Sequence, residues 1–214
     1  MPVWTIVVAA GSGSRFGRAK QYERLGDRRV LDWALGAARA VSEGVVLVVP
    51  PDSAGRGEAG VDAVVPGGST RSASVRAGLA AIPGEADIVL VHDAARPLAP
   101  AALFEAVIAA VRDGADAAIP GVAVANTVKR VKGTAVVETV DRTDLIEVQT
   151  PQAFSAVALR KAHADEPDAT DDAGLVEAAG GSVRVVPGDP INIKLTHPHD
   201  LAIARALIAE GDRS

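Results

Sequence analysis

Residues 9–20, AAGSGSRFGRAK, set two arginines and a lysine, Arg15, Arg18 and Lys20, among the glycines Gly11, Gly13 and Gly17. Glycine lets a backbone come close to a ligand, and successive N–H groups form an anion-binding concavity. Arg15 adds a planar fork of donors and Lys20 a compact charge. Such a set suits a phosphate. Reaction at phosphorus builds charge on its equatorial oxygens, and catalysis there is mostly positioning and charge stabilisation. A plainer reading is a glycine turn with solvent-facing Arg and Lys. Two familiar loops do not fit. The Walker pattern needs four residues between its glycines and then Gly-Lys-Ser/Thr, whereas only three separate Gly13 from Gly17, and Arg18-Ala19 follow. The dinucleotide fingerprint needs its third glycine one place earlier than Gly17. The order strand, Ala-Ala-Gly-x-Gly-x-Arg, then lysine is that of a nucleotidyltransferase loop.

Further candidates lie elsewhere. In PGGSTRSASV (66–75), Gly67 and Gly68 make a tight bend, Ser69 or Thr70 can cap a helix, and Ser74 falls in its first turns. Paired glycines, hydroxyls and N–H groups can read the polar edge of a base; an ordinary capped helix start is the plainer reading. HDAARP (92–97) offers Asp93 and Arg96 beside two alanines that leave the backbone accessible. TPQAF (150–154) and NIKLT (192–196) set polar groups in apolar surroundings, and Lys194 between Ile193 and Leu195 calls for an anionic partner. In ATDDAG (169–174), Thr170 and the two aspartates read either as a helix cap or as substrate contacts. His197 and His199 read as helix-start residues rather than a metal site, since no third ligand is near.

These residues need a scaffold that delivers loops to one edge. Short apolar runs at 3–10, 44–50, 61–66, 86–92, 115–122 and 182–187 read as strands, and their continuous Val/Ile content suits burial on both faces. Helical patterns occupy Val30–Val41, Ala73–Ile82, Pro100–Arg112, Ser155–Ala164, Asp171–Ala179 and His199–Ala209. The alternation predicts an α/β fold, a Rossmann-like, mainly parallel sheet with helices on both faces. Ligands of such sheets bind beyond the carboxyl ends of the strands, where the motifs above fall. NTVKRVKGTAVVETVDR (126–142) breaks the pattern and predicts a β-hairpin turning at Lys132-Gly133-Thr134. A lone hairpin is marginal in water, so Val128, Val136 and Val140 need cover.

The 214 residues fit one domain, 1–214, with the hairpin as an arm at about 123–142. Aromatics are 3%, so the core is mostly aliphatic, and the absence of cysteine excludes disulfides and thiolate metal sites. No apolar run approaches the roughly 20 residues of a membrane span, and residues 1–5 show no secretory pattern, so the expectation is a cytoplasmic protein without membrane contact. Net charge −5 argues against a nucleic-acid surface.

AAGSGSRFG…KQY, GGSTRSASV, VHDAARP, NTVKR, TVDRTDL, TPQAF, TDDA and NIKLT, in this order and spanning nearly the whole chain, resemble the 2-C-methyl-D-erythritol 4-phosphate cytidylyltransferase family. The resemblance implies a nucleotidyltransferase-type fold and CMP transfer from CTP to the polyol phosphate, with Mg²⁺ held mainly by the CTP phosphates. It implies that Arg15 and Lys20 stabilise the transition state. Ala9, Ala10, Gly11, Gly13, Gly68, Ser69 and Ser74 would bind CTP. Arg142 and Lys194 would place the second phosphate, with Asp93, Arg96, Thr127, Thr150 and Thr170 around it. It also implies a homodimer exchanging the arm. Ribitol 5-phosphate cytidylyltransferases share most of these motifs, and a non-catalytic nucleotide-binding regulator is the alternative of another class. Retention of Arg15, Lys20, Arg142 and Lys194 together argues against the regulator.

Overall fold

The computed structural model describes residues 1–211 except Ser12, Ser14, Arg15 and Arg18. In chain order the elements are β1 (Val3–Val8), β2 (Arg24–Leu25), β3 (Arg28–Arg29), α1 (Val30–Val41), β4 (Gly44–Val49), β5 (Ala63–Pro66), α2 (Arg71–Ala80), β6 (Ile88–Asp93) and α3 (Ala101–Arg112). They continue with β7 (Ala117–Ala123), β8 (Val128–Lys132), β9 (Ala135–Val140), β10 (Ile146–Val148), β11 (Gln152–Ser155), α4 (Ala156–Ala162), α5 (Asp172–Ala178), β12 (Val183–Pro187) and α6 (Pro198–Gly211). Each strand and helix expected from periodicity is present, within a few residues at its ends.

The main sheet runs β10-β7-β11-β6-β1-β4-β5, with β12 also on β7. β1, β4, β5 and β6 are parallel, as are β7 and β12. Every residue of β4 and β6 is buried, which explains their unbroken apolar runs. Alternate residues feed two layers. Val7, Leu47 and Leu90 pack with Leu31, Phe104 and Val107 of α1 and α3. Ile6, Val48 and Val91 pack with Val75, Leu159 and Leu175 of α2, α4 and α5. Helix α2 lies close on the sheet because Gly78 has no Cβ; one there would sit 2.6 Å from Ile6 Cγ2. A third cluster, Phe16, Leu25, Val30, Leu195, Leu201 and Ala204, anchors α6 and the glycine loop at one end of the molecule.

Two features are not expected from the pattern. Residues 146–155 enter the sheet antiparallel, β11 lying between β6 and β7 and β10 continuing along β7. Between them the register jumps from Val148↔Gly121 to Ala153↔Ala118; Gln149 N–H still donates to Pro120 O at 2.9 Å, and Thr150 and Pro151 bulge from the ladder. β2 and β3 form a second, minimal hairpin.

The arm, β8 and β9, is a separate two-stranded sheet. Gly133, with φ +62°, makes its turn. Val131, Val136 and Val137 are its exposed valines, 58–61% accessible. Val128 and Val140 are half-buried at its base, where they face each other.

Candidate active site

β1 ends at Val8, and the chain turns at once into the glycine loop. Ala9 N–H donates to Val48 O at 2.7 Å, and the buried Gln21 amide donates back to Ala9 O at 3.0 Å. The loop is thus pinned at both ends. Gly13 and Gly17 take φ +65° and +83°, conformations open mainly to glycine. Phe16 N–H and Gly17 N–H both donate to Gly13 O, and the Phe16 side chain anchors the turn in the third cluster. Lys20 begins a short 3-10 turn (Lys20–Tyr22) and faces the same cavity as Ala9, Ala10, Gly11 and Gly13. Arg15 lies outside the described residues.

The bend after β5 forms the facing wall. Thr70 caps α2, its hydroxyl accepting from Ala73 N–H at 3.0 Å. The Ser74 hydroxyl donates to Thr70 O at 2.9 Å and accepts from Gly68 N–H at 3.2 Å. A Cβ on Gly67 would stand 2.3 Å from Ala10 Cβ and 2.9 Å from Ser74 Oγ. Glycine there is what brings the bend against the end of β1.

The third wall is the end of β6. Asp93 is buried, and its two oxygens face two cations, Lys194 Nζ at 2.6 Å and Arg71 Nε at 3.5 Å. Burial alone would raise the Asp93 carboxyl, but Lys194, Arg71 and Arg96 outweigh it and hold it below the usual carboxylate range. Lys194 is not buried: its side chain is 41% exposed, while its neighbour Leu195 is fully covered. The segment carrying it is held by Leu195 N–H on Ala95 O and by Asn192, whose amide donates to Thr150 O at 2.9 Å. Arg96 braces the same segment, donating to Asn192 O at 2.7 Å and to Val148 O at 3.3 Å. Burial pulls the Arg96 guanidinium below its ordinary range, Asp93 and Glu147 opposing it.

The three walls enclose a cavity of about 510 Å³. Lys20, Gly68, Ser69, Ser74, Asp93 and Lys194, proposed from the sequence, meet there. Thr150 is near but buried; its hydroxyl accepts from Asp93 N–H at 3.0 Å and contacts His92 Nδ1 at 3.2 Å. Thr170 is exposed, just ahead of Asp171, which caps α5. Thr127 and Arg142 are exposed at the base of the arm, where Arg142 donates to the carbonyls of Val124 and Ala125. His197 and His199 stack 5.5 Å apart, and His197 N–H donates to Asp200, as a helix start requires.

Sequence reasoning passes over Arg71. It is the first residue of α2, where the positive end of the helix dipole disfavours a cation. That mismatch is the available signal that an anion must lie close by.

A family profile described as 2-C-methyl-D-erythritol 4-phosphate cytidylyltransferase matches residues 3–210. The chain belongs to this family. The cytidylyltransferase of that name from Streptomyces coelicolor is 46% identical, over 95% of this chain and 84% of its own. A bifunctional IspD/IspF enzyme of Clavibacter michiganensis is also 46% identical, and the chain spans 54% of its length. The crystal structure of the cytidylyltransferase from Thermus thermophilus superposes with a TM-score of 0.84 at 37% identity, covering 97% of this chain and 98% of that one. The mainly parallel sheet is thus the fold of the cytidylyltransferase family. No described helix is long and apolar enough to cross a membrane.

Proposed function

We propose that the protein transfers the cytidylyl group of CTP to 2-C-methyl-D-erythritol 4-phosphate, giving 4-diphosphocytidyl-2-C-methyl-D-erythritol and pyrophosphate. One observation carries this reading. The glycine loop with Lys20, the Gly67–Ser74 bend and the Asp93–Lys194 pair wall a single cavity in a chain that matches the family from residue 3 to residue 210.

An oxygen of the polyol phosphate attacks the α-phosphorus of CTP. A new P–O bond forms, the bond to the bridging oxygen breaks, and pyrophosphate leaves with that electron pair. The attacking oxygen is already anionic near neutral pH, so no general base is needed. Ala9, Ala10, Gly11 and Gly13 are assigned to the nucleotide phosphates and sugar, and Gly68, Ser69 and Ser74 to the base edge. Arg15 and Lys20 are assigned to the charge that grows on the phosphoryl oxygens. Lys194 is assigned to the incoming phosphate, which it would meet while still paired with Asp93. The Thr150 hydroxyl is assigned to holding Asp93 rather than touching substrate.

Among the described residues no cluster of three or more His, Cys, Asp or Glu could hold a metal, and Asp93 is the carboxylate on the cavity wall. That donor set fits Mg²⁺ carried in mainly on the CTP phosphates, since Asp93 is already engaged by Lys194 and Arg71. The bound ion would neutralise phosphate charge.

The arm is assigned to a second copy of the chain. Its exposed valines lie away from the body of its own chain, and Arg142 is outside the cavity lining. In an arm-exchanged homodimer, Arg142 and Thr127 would enter the partner's site.

Pyrophosphate release, with CTP, UTP and GTP each paired with methylerythritol 4-phosphate and ribitol 5-phosphate, tests the reading. The expected best pair by kcat/KM is CTP with methylerythritol 4-phosphate. A preference for ribitol 5-phosphate would replace the substrate, and no release with any pair would leave a nucleotide-binding regulator.

A further inference from the structure

Arg71 joins the two halves of the cavity. It stands at the start of α2, three residues beyond Gly68 and three before Ser74, on the side assigned to the nucleotide. Its side chain is 23% exposed, and its Nη1 donates to Asp172 Oδ2 at 2.6 Å. Its Nε faces Asp93 Oδ1 at 3.5 Å. Asp172 is fully buried, and its other oxygen meets His163 Nε2 at 3.1 Å. Asp93 in turn holds Lys194 through Oδ2. The row His163, Asp172, Arg71, Asp93, Lys194 runs from under α5 to the cavity wall.

The geometry separates two duties of this guanidinium. Toward Asp172 it compensates a buried carboxylate, which is structural. Toward Asp93 its Nε stands 3.5 Å from one carboxylate oxygen, a charge contact longer than a hydrogen bond that favours the orientation presenting the other oxygen to Lys194. The same stretch of α2 holds the 167–172 segment: Thr70 Oγ1 donates to Asp168 Oδ1 at 2.6 Å, Ala169 N–H donates to Ser72 Oγ at 3.2 Å, and Arg76 donates to Pro167 O at 2.8 Å. The bend that seats the nucleotide and the Asp93–Lys194 pair therefore share one rigid support.

We infer that Arg71 is a positioning residue for the second substrate: acting through Asp93, it sets where Lys194 holds the incoming phosphate relative to the seated nucleotide. This rests on the cytidylyl-transfer reading. Arg71→Met alone strands the buried Asp172 and can fail to fold, so the working variant is Arg71→Met with Asp172→Asn, which removes both members of the structural pair. Misplacing a reacting group by about 1 Å costs on the order of 10²-fold. The double variant is therefore expected to lose about 10²-fold in kcat/KM for the polyol phosphate, while its CTP Kd by calorimetry stays within about threefold. Arg71→Lys, a point charge without the guanidinium fork, is expected to keep the fold and recover little of that loss. Adding Asp93→Asn to the double variant is expected to cost no more than about threefold further, because residues acting through one another are not additive. Additive losses, or a weakened CTP Kd with an unchanged polyol phosphate term, would overturn the inference and leave the functional reading standing. A native protein that releases no pyrophosphate with either polyol phosphate would bring down both.

Discussion

Acidification should reveal His92 before any carboxylate. The ring is fully buried, 5.0 Å from the Phe104 ring, and both its nitrogens are in contact with protein. Nε2 lies 3.2 Å from Arg96 O, which can only accept, so Nε2 carries the proton. Nδ1 is then an acceptor, and the Thr150 hydroxyl donates to it while accepting from Asp93 N–H. This relay suits neutral imidazole, since a proton on Nδ1 would forfeit the hydrogen bond that the Thr150 hydroxyl donates. Burial pushes the His92 pKa from 6.5 down to about 4; Asp93 and the bond to Arg96 O oppose the fall, and the Arg96 charge adds to it. Because the folded value lies below the unfolded one, unfolding takes up a proton between them. The stability contributed is complete above about pH 6.5 and is lost as pH falls toward about 4. That gap is worth roughly 3 kcal/mol in full, of which about 2 kcal/mol should disappear between about pH 7 and about pH 4.5. Asp93, depressed below the usual carboxylate range, loses its share only at more acid pH, so the windows separate. The assay is urea unfolding at both pH values and one fixed protein concentration, for the native chain and for His92→Gln, which keeps a donor and an acceptor but does not titrate. The native chain should lose about 2 kcal/mol more than the variant over this window. Equal losses, or an imidazole NMR signal from His92 that titrates near 6.5, would refute the relay.

Two further outcomes follow from the geometry. Gly67→Ala places a methyl 2.3 Å from Ala10 Cβ and should part the bend from the end of β1, weakening CTP binding by calorimetry at least about tenfold, or about 1.4 kcal/mol; an unchanged Kd would mean that the bend does not seat the nucleotide. Lys20→Ala should lower kcat by about 10²–10³, as for one preorganised charge stabiliser; on the arm-exchange proposal, that protein dissociated and reassociated with Arg142→Ala protein should regain part of the activity, since one site of each mixed dimer would then have both residues, and no regain would place Arg142 in its own chain's site.

How much is legible follows from how local each determinant is. β4 and β6 can be read because burial on both faces demands an unbroken apolar run, which sequence displays directly. Residues 146–155 cannot, because Gln149, Thr150 and Pro151 interrupt the strand and proline argues against a central position. The same interruption serves the site. Thr150 leaves the ladder to bond Asp93 N–H, and Gln149 and Thr150 O hold Asn192, two residues before Lys194. The glycine loop and the bend are legible as residue types, since a phosphate and a base edge each need exposed N–H groups and absent side chains. The charge pairing is not. Lys194 with Asp93 and Arg71 with Asp172 are each 101 residues apart, and no local periodicity encodes such a distance. What the sequence does carry is the unmet local demand: a lysine between apolar neighbours at 194, an arginine at the wrong end of a helix dipole at 71. The first reads as a request for an anion, and the structure supplies Asp93. The second makes the same request, and the structure answers it with Asp172 and the same Asp93. Two unrelated local mismatches converge on one carboxylate, which makes Asp93 the group through which a change on either side of the cavity must be felt on the other.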